Sequence, residues 1–493
     1  VTEFAVWAPQ RQRVRVLVDG TPHDMYSDAI GWWRADVEDA APGTAYAFLL
    51  DDEEEPLPDP RSRWQPTGVH GASRVYDDKA FFWTDRAWTG RQLAGSVLYE
   101  LHIGTFTAEG TFDAAIERLD HLVGLGVDMV EVLPVNAVDG PRNWGYDGVG
   151  WYAVTENYGG PDAFKRFVDA CHARGLGVVL DVVHNHLGPS GAYLDRFGPY
   201  FAGSNIWGPS LNLDGAHSDE VRRYAIDNAL MWLRDYHVDA LRLDAVHALH
   251  DSRATHLLEQ LAVEVDALSA HVGRPLSLIA ESDLNDPRLV TPREGGGYGL
   301  HAQWCDDIHH SLHTVLTGES QGYYADFADA GITGLAHVFT RAFFHEGTWS
   351  SFRQRGHGAP VDSRRIPSHR FIAYLQNHDQ IATGPPGTAS ARPSPPDSWP
   401  AAPLSCSAPR SRRCCSWARS GAPARRGSSS PTFPTSRCAT PCARAGGGSS
   451  PSTAGARPRS PTRTRRARSS TRSSTGTSPR RSRTPRCCAC TGS

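Results

Sequence analysis

The sequence predicts an α/β protein whose centre is a (β/α)8 TIM barrel, with a small β-sandwich before it and a disordered tail after it. Three observations carry this reading. From about Val97 onward, short apolar runs alternate with amphipathic helical patterns, which implies a parallel sheet with helices outside it. Charged and polar residues crowd just beyond the ends of those runs, as they do at the C-terminal face of a barrel. Finally, the composition changes abruptly after Ile381. No Gly-rich dinucleotide loop follows a strand, so a closed barrel is favoured over a doubly wound sheet.

Residues 1–84 read as the β-sandwich. Segments 4–9, 14–18 and 46–50 alternate or run apolar, Asp19-Gly20 supplies turn chemistry, and an acidic, proline-bearing linker spans 51–63. Residues 85–381 read as the barrel, with strand candidates at 97–103, 127–134, 177–183, 240–246, 276–280 and 371–375. Between them, apolar residues recur at helical spacing. One set is Phe112, Ile116, Leu119 and Val123, opened by Thr111 and stopped by Gly124 and Gly126. A second is Phe164, Phe167, Val168 and Cys171, and a third is Val221, Ala225, Ala229 and Trp232. Cys171 and Trp232 fall on apolar faces, so both are expected to pack and not to react.

Residues 382–493 are a different material. They hold 20 Arg, no Lys, one acid (Asp397), 17 of the 35 prolines and eight of the ten cysteines. Residues 1–381 carry a net charge of −23 and the tail +19, so the formal charge of −4 conceals two opposed segments. With Leu404, Trp399, Trp417 and Phe433 as its only large apolar residues, the tail cannot bury a core. The acidic segment disfavours nucleic acid as a partner. No apolar run reaches membrane-spanning length, and the first residues lack a basic region followed by an apolar stretch, so neither a membrane span nor a leader is expected. With two cysteines in 1–381, a disulfide framework is disfavoured and a cytoplasmic protein is expected.

The chemistry is expected at the strand ends. Asp181-Val-Val-His184-Asn185-His186, Arg242-Leu-Asp244-Ala-Val-His247, Glu281-Ser-Asp283 and Gln376-Asn-His378-Asp379 each follow an apolar run. On one barrel face they bring Asp244, Glu281 and Asp379 into a single cleft. Glycoside hydrolysis uses one ionised carboxylate and one protonated carboxyl on either side of the scissile bond. Arg242, two residues before Asp244 on the same strand face, favours an ionised nucleophile there. Glu281 follows Leu278-Ile-Ala280, and such an apolar setting raises a carboxyl toward the range of a general acid. A retaining enzyme would hold these two groups about 5–5.5 Å apart. His184, His186, His309 and His310 invite a metal, but no His-Glu-x-x-His or paired Cys-x-x-Cys occurs in 1–381, so no metal and no cofactor is expected. Trp144, Trp151 and Trp207 are candidates to stack on sugar rings.

These motifs resemble those of the α-amylase superfamily of glycoside hydrolases: Asp181…Asn185-His186, Arg242-Leu-Asp244, Glu281 and His378-Asp379. The longer strings resemble its trehalohydrolase branch. They include Leu98-Tyr-Glu-Leu-His-Ile-Gly-Thr-Phe106, Asn143-Trp-Gly-Tyr-Asp147, Asn185-His-Leu-Gly-Pro-Ser-Gly191 and Asp244-Ala-Val-His-Ala-Leu249. The resemblance runs from Val1 to Ile381. It implies hydrolysis of the α-1,4 bond that joins trehalose to a maltooligosyl chain, after a synthase has made that maltooligosyltrehalose. It implies Asp244 as nucleophile, Glu281 as acid/base and Asp379 as transition-state stabiliser, with Tyr146, His186, Arg242, His247 and His378 binding substrate. A branching or debranching enzyme, or a glucan-binding remnant, is the alternative.

The tail reads as a frame-shifted translation. Loss of one base after Ile381 turns codons for the family's expected continuation into the observed ATGPPGTASA of 382–391. The same shift turns codons for FMGEEWG, expected at the eighth strand, into Ser416-Trp-Ala-Arg-Ser-Gly421. Val1 fits a GTG start codon. On this reading the barrel lacks its eighth strand, two sheet edges stay open, and the chain is expected to be unstable or inactive.

Overall fold

Val14–Val18 shows how the first module is built: Val14, Val16 and Val18 are buried while Arg15 and Leu17 are half-buried, the period-two pattern of a strand with one covered face. This computed structural model describes residues 1–382 and the strand Arg412–Cys414, all within one compact unit, Val1–Ala422. Two antiparallel sheets form the N-terminal part. In one, Trp32–Val37 lies between Thr2–Trp7 and Tyr26–Ser27; the other runs Thr21–Asp24, Val14–Val18, Ala45–Leu50, Ser73–Arg74. Edge-on aromatic contacts tie this part to the rest, with Trp7 against Tyr200 at 5.1 Å and Phe48 against Phe197 at 6.2 Å.

A closed parallel barrel follows. Its strands in chain order are Val97–Leu101, Met129–Val132, Gly177–Val182, Ala240–Leu243, Ser277–Ala280, Ala302–Trp304, Phe371–Tyr374 and Arg412–Cys414. Helices such as Gly160–Ala173, Ser218–Asp235 and Leu257–Val272 cover its outside. Cys171 and Trp232 lie on their buried faces, as their spacing predicts.

The sheet differs from expectation in two places. Ala302–Trp304 is a barrel strand that the apolar-run reading passes over. The gap expected between the seventh and first strands is filled by Arg412–Cys414, which pairs in parallel with Phe371–Tyr374 on one side and Val97–Leu101 on the other. Both pairings use backbone groups that every residue but proline supplies, so an apolar run is not required to close the barrel. The open-edge ground for instability does not apply to this closed sheet. The rest of the tail, 383–411 and 415–493, lies outside the described residues. A smaller difference is the single helix expected over 111–124. It is two, Phe112–Ile116 and Leu119–Gly124, divided where Arg118 N–H turns back to the Ala115 carbonyl at 3.0 Å. Among the described residues, no helix is long and apolar enough to cross a membrane.

Candidate active site

The barrel interior is layered by the two-residue period of its strands. Leu98, Met129, Val179, Ala240, Ile279, Ala302 and Ile372 form an apolar floor. Two residues further along the first five strands stand Glu100, Glu131, Asp181, Arg242 and Glu281. One strand step therefore exchanges a dry core for a ring of ionisable groups, which the strand ends present to the C-terminal face.

Arg242 is the hub of this ring, with its side chain 1% exposed. Its Nη1 donates to Asp181 Oδ2 at 2.7 Å and to Asp244 Oδ1 at 2.9 Å. Its Nη2 lies 3.9 Å from Glu281 Oε2, and its Nε lies 3.9 Å from Glu131 Oε1. The second Asp244 oxygen accepts from Asn185 Nδ2 at 2.8 Å. Both Asp244 oxygens thus receive hydrogen bonds suited to the ionised form.

Glu281 differs. Burial raises its carboxyl well above the usual carboxylate range, and the negative charges of Asp244, Asp306 and Asp379 add to this against the pull of Arg242. Its Oε2 accepts from the Ala245 amide at 2.6 Å. That amide is aimed by a left-handed turn at Ala245 (φ 40°, ψ 51°), a conformation costing a side-chain-bearing residue about 1–2 kcal/mol. The strain falls immediately after Asp244 and couples the two carboxyl-bearing strand ends.

Asp181 is buried, and desolvation lifts its carboxyl to about 6 even with Arg242 beside it. Tyr146 donates its hydroxyl to Asp181 Oδ2 at 2.6 Å, and its ring stacks on His378 at 5.0 Å. His378 Nε2 lies 2.7 Å from the Tyr146 oxygen, and its Nδ1 lies 3.0 Å from Glu100 Oε2. Burial works against a charge on this ring, but Glu100 and Asp379 overcome it and raise His378 to about 9. Asp379 sits next to it at the mouth, 49% exposed, with Oδ1 3.5 Å from His378 Nε2. His186 is held by Asn185 Oδ1 at 2.6 Å and the Tyr146 carbonyl at 2.9 Å, and burial lowers its proton affinity.

The structure brings Tyr146, Arg242, Asp244, Glu281, His186, His378 and Asp379 into one connected cluster. His247 stands at its rim, half-buried, with its ring 6.0 Å from that of Trp207. Trp207, 45% exposed, also faces His186 in a stacked arrangement at 6.0 Å, whereas Trp151 is buried against His184 and Tyr224. His184 bonds Asn228 and His309 bonds the Leu375 carbonyl. Among the described residues, no group of three His, Cys, Asp or Glu is placed to hold a metal ion.

Sequence reasoning missed Glu100, Glu131 and Asp306. Glu100 and Glu131 lie inside apolar strand runs, and the signal that could have found them is their two-residue offset from Leu98 and Met129. Burial raises Asp306 to about 7, where it accepts from the Tyr374 hydroxyl at 2.8 Å.

This fold and this ring of carboxyls place the molecule in a known class. Residues 75–199 match the family model for the alpha amylase catalytic domain. A crystal structure of a Salmonella typhimurium protein assigned to the alpha amylases superposes with a TM-score of 0.77 at 37% identity, covering 84% of this chain and 70% of that one. The chain belongs to the α-amylase family. Among curated proteins it is similar to malto-oligosyltrehalose trehalohydrolase of Arthrobacter ramosus, 58% identical over 77% of this chain and 66% of that protein. It is also similar to the protein of the same name from Mycobacterium tuberculosis (strain CDC 1551 / Oshkosh), 57% identical over the same shares. The chain spans 66% of the length of these curated relatives.

Proposed function

We propose that this chain is a glycoside hydrolase that cleaves the α-1,4-glucosidic bond next to the trehalose end of maltooligosyltrehalose, releasing trehalose with retention at the anomeric carbon. The observation that carries the reading is a pair of unlike carboxyls on one buried guanidinium. Arg242 bonds Asp244 at 2.9 Å and stands 3.9 Å from Glu281, and burial keeps Glu281 protonated beyond the usual carboxylate range. The high identity to proteins named trehalohydrolases supports the choice of substrate.

In the first step an Asp244 oxygen attacks the anomeric carbon of the glucosyl unit while Glu281 passes its proton to the leaving trehalose oxygen. A glycosyl ester on Asp244 results. In the second step ionised Glu281 takes a proton from water, the water oxygen attacks the same carbon, and the Asp244 ester is released. Asp379 holds sugar hydroxyls at the oxocarbenium-like transition state, and Tyr146, His186, His247 and His378 line the glucosyl subsite. Every step uses side chains of this chain. A synthase that converts the reducing end of a glucan into a trehalosyl group supplies the substrate, in the cytoplasm.

The test is product analysis of the full chain with maltooligosyltrehalose and, separately, with plain and branched maltooligosaccharides. Trehalose from the first and little change in the others supports the reading. Shortened or newly branched chains from all of them, or amylose binding without turnover, overturns it.

A further inference from the structure

His378 is sandwiched between two groups that each accept a hydrogen bond from it. On one side, Glu100 in the first barrel strand reaches it twice: Oε1 accepts from the His378 backbone amide at 2.8 Å, and Oε2 faces Nδ1 at 3.0 Å. The Glu100 side chain is 0% exposed. On the other side, Nε2 faces the Tyr146 oxygen at 2.7 Å. The single phenolic proton of Tyr146 is committed to Asp181 Oδ2 at 2.6 Å, so the phenolic oxygen accepts from the histidine. A carboxylate at Nδ1 and an accepting phenol at Nε2 require a proton on both ring nitrogens, which is the imidazolium.

Every element packed around the ring contributes a titratable group. The first strand offers Glu100 and, just past its end, His102, whose own protonation the His378 charge opposes. The second offers Glu131, buried and held neutral by desolvation and by the charge of Glu100. The third offers Asp181, the fourth Arg242, and the helix that begins at His378 offers Asp379. Tyr146 covers one ring face, and Trp144 meets it edge-on at 5.9 Å. Arg242 and burial oppose the ring's charge, while Glu100 and Asp379 favour it. Asp379 is half exposed, so Glu100 is the desolvated partner and the stronger one.

We infer that Glu100 is a positioning residue of the active site: its buried carboxylate fixes His378 as an imidazolium that donates to Tyr146, and through Tyr146 to the hydrogen-bonded line Asp181–Arg242–Asp244. Its catalytic consequence rests on the proposed function, but the charge state of His378 does not.

The test uses the full chain labelled with 13Cε1-histidine, with the His378 resonance identified as the one absent from H378Q. In the wild type His378 titrates near 9. In Glu100→Gln, which keeps the shape but not the charge, its proton affinity falls about tenfold or more, and Glu100→Asp recovers part of that loss. A wild-type midpoint near that of free histidine, or one unmoved in Glu100→Gln, overturns the inference, and the wild-type titration decides it even if neither variant folds. Trehalose release is followed in parallel, and Glu100→Gln should lose activity more steeply than the wild type between pH 7 and 9. Absence of trehalose from the wild type at any pH would defeat the functional reading and leave the His378 titration to judge Glu100.

Discussion

Replacing Arg242 by methionine removes the one guanidinium that joins Asp181 to Asp244. The methionine fills most of the volume of a side chain that is 1% exposed, so the perturbation is electrostatic more than steric. Two hydrogen bonds of 2.7 and 2.9 Å are lost, each of the charged kind worth about 1.5–3 kcal/mol. Removing one partner of a buried ion pair costs about 3–5 kcal/mol, which lies within the roughly 3–6 kcal/mol of the two bonds together. Asp181, already raised to about 6 with Arg242 holding it down, would then bind a proton more readily, and Asp244 would lose one of the two hydrogen bonds that suit its ionised form. The expected outcome is a fall of about 3 kcal/mol or more in unfolding free energy by urea titration, a loss of about ten- to hundredfold in trehalose release at pH 7, and an acid limb of the rate profile displaced to higher pH. Wild-type stability with an unmoved acid limb would refute the hub role given to Arg242.

Other consequences follow from the same geometry. Glu281→Gln keeps the hydrogen bond from Ala245 but has no proton to give, so kcat/KM should fall about 10²–10⁴-fold with the thermal midpoint little changed; retention of most activity would remove Glu281 from its role. His378 has a folded-state value of about 9 against an ordinary 6.5. Its stabilising contribution is therefore complete below about 6.5 and is lost as pH rises through 9, a decline of about 3 kcal/mol that denaturant titrations at pH 6 and 10 should show and that H378Q should reduce. Sequencing the DNA across the codon for Ile381 tests the frame-shift reading of the tail. A missing base there is expected, and an uninterrupted frame matching the intact-protein mass would refute it.

Much of this fold was legible because six barrel strands carry apolar runs long enough to stand out from helical spacing. Ala302–Trp304 was not, since three residues with a glutamine in the middle show no run, and its place in the sheet is fixed by neighbours on both sides. Arg412–Cys414 was invisible for a related reason, because edge pairing reads backbone and not side chain. At the candidate site, Asp244, Glu281 and Asp379 were legible as polar residues past strand ends. Glu100 and Glu131 were hidden by position inside strands that otherwise read as core. The left-handed turn at Ala245 had no sequence signal, as alanine has no preference for that conformation and the packing around Glu281 imposes it.

The central claim is that Asp244 attacks and Glu281 protonates. Its most direct test is to slow the second step with Glu281→Gln, supply an activated glucosyl fluoride, and locate the covalent adduct by peptide mass spectrometry. A glycosyl mass is expected on the peptide that contains Asp244, with the α-anomer formed first when the wild-type chain turns over. An adduct on another residue, or no adduct together with an inverted first product, would contradict it.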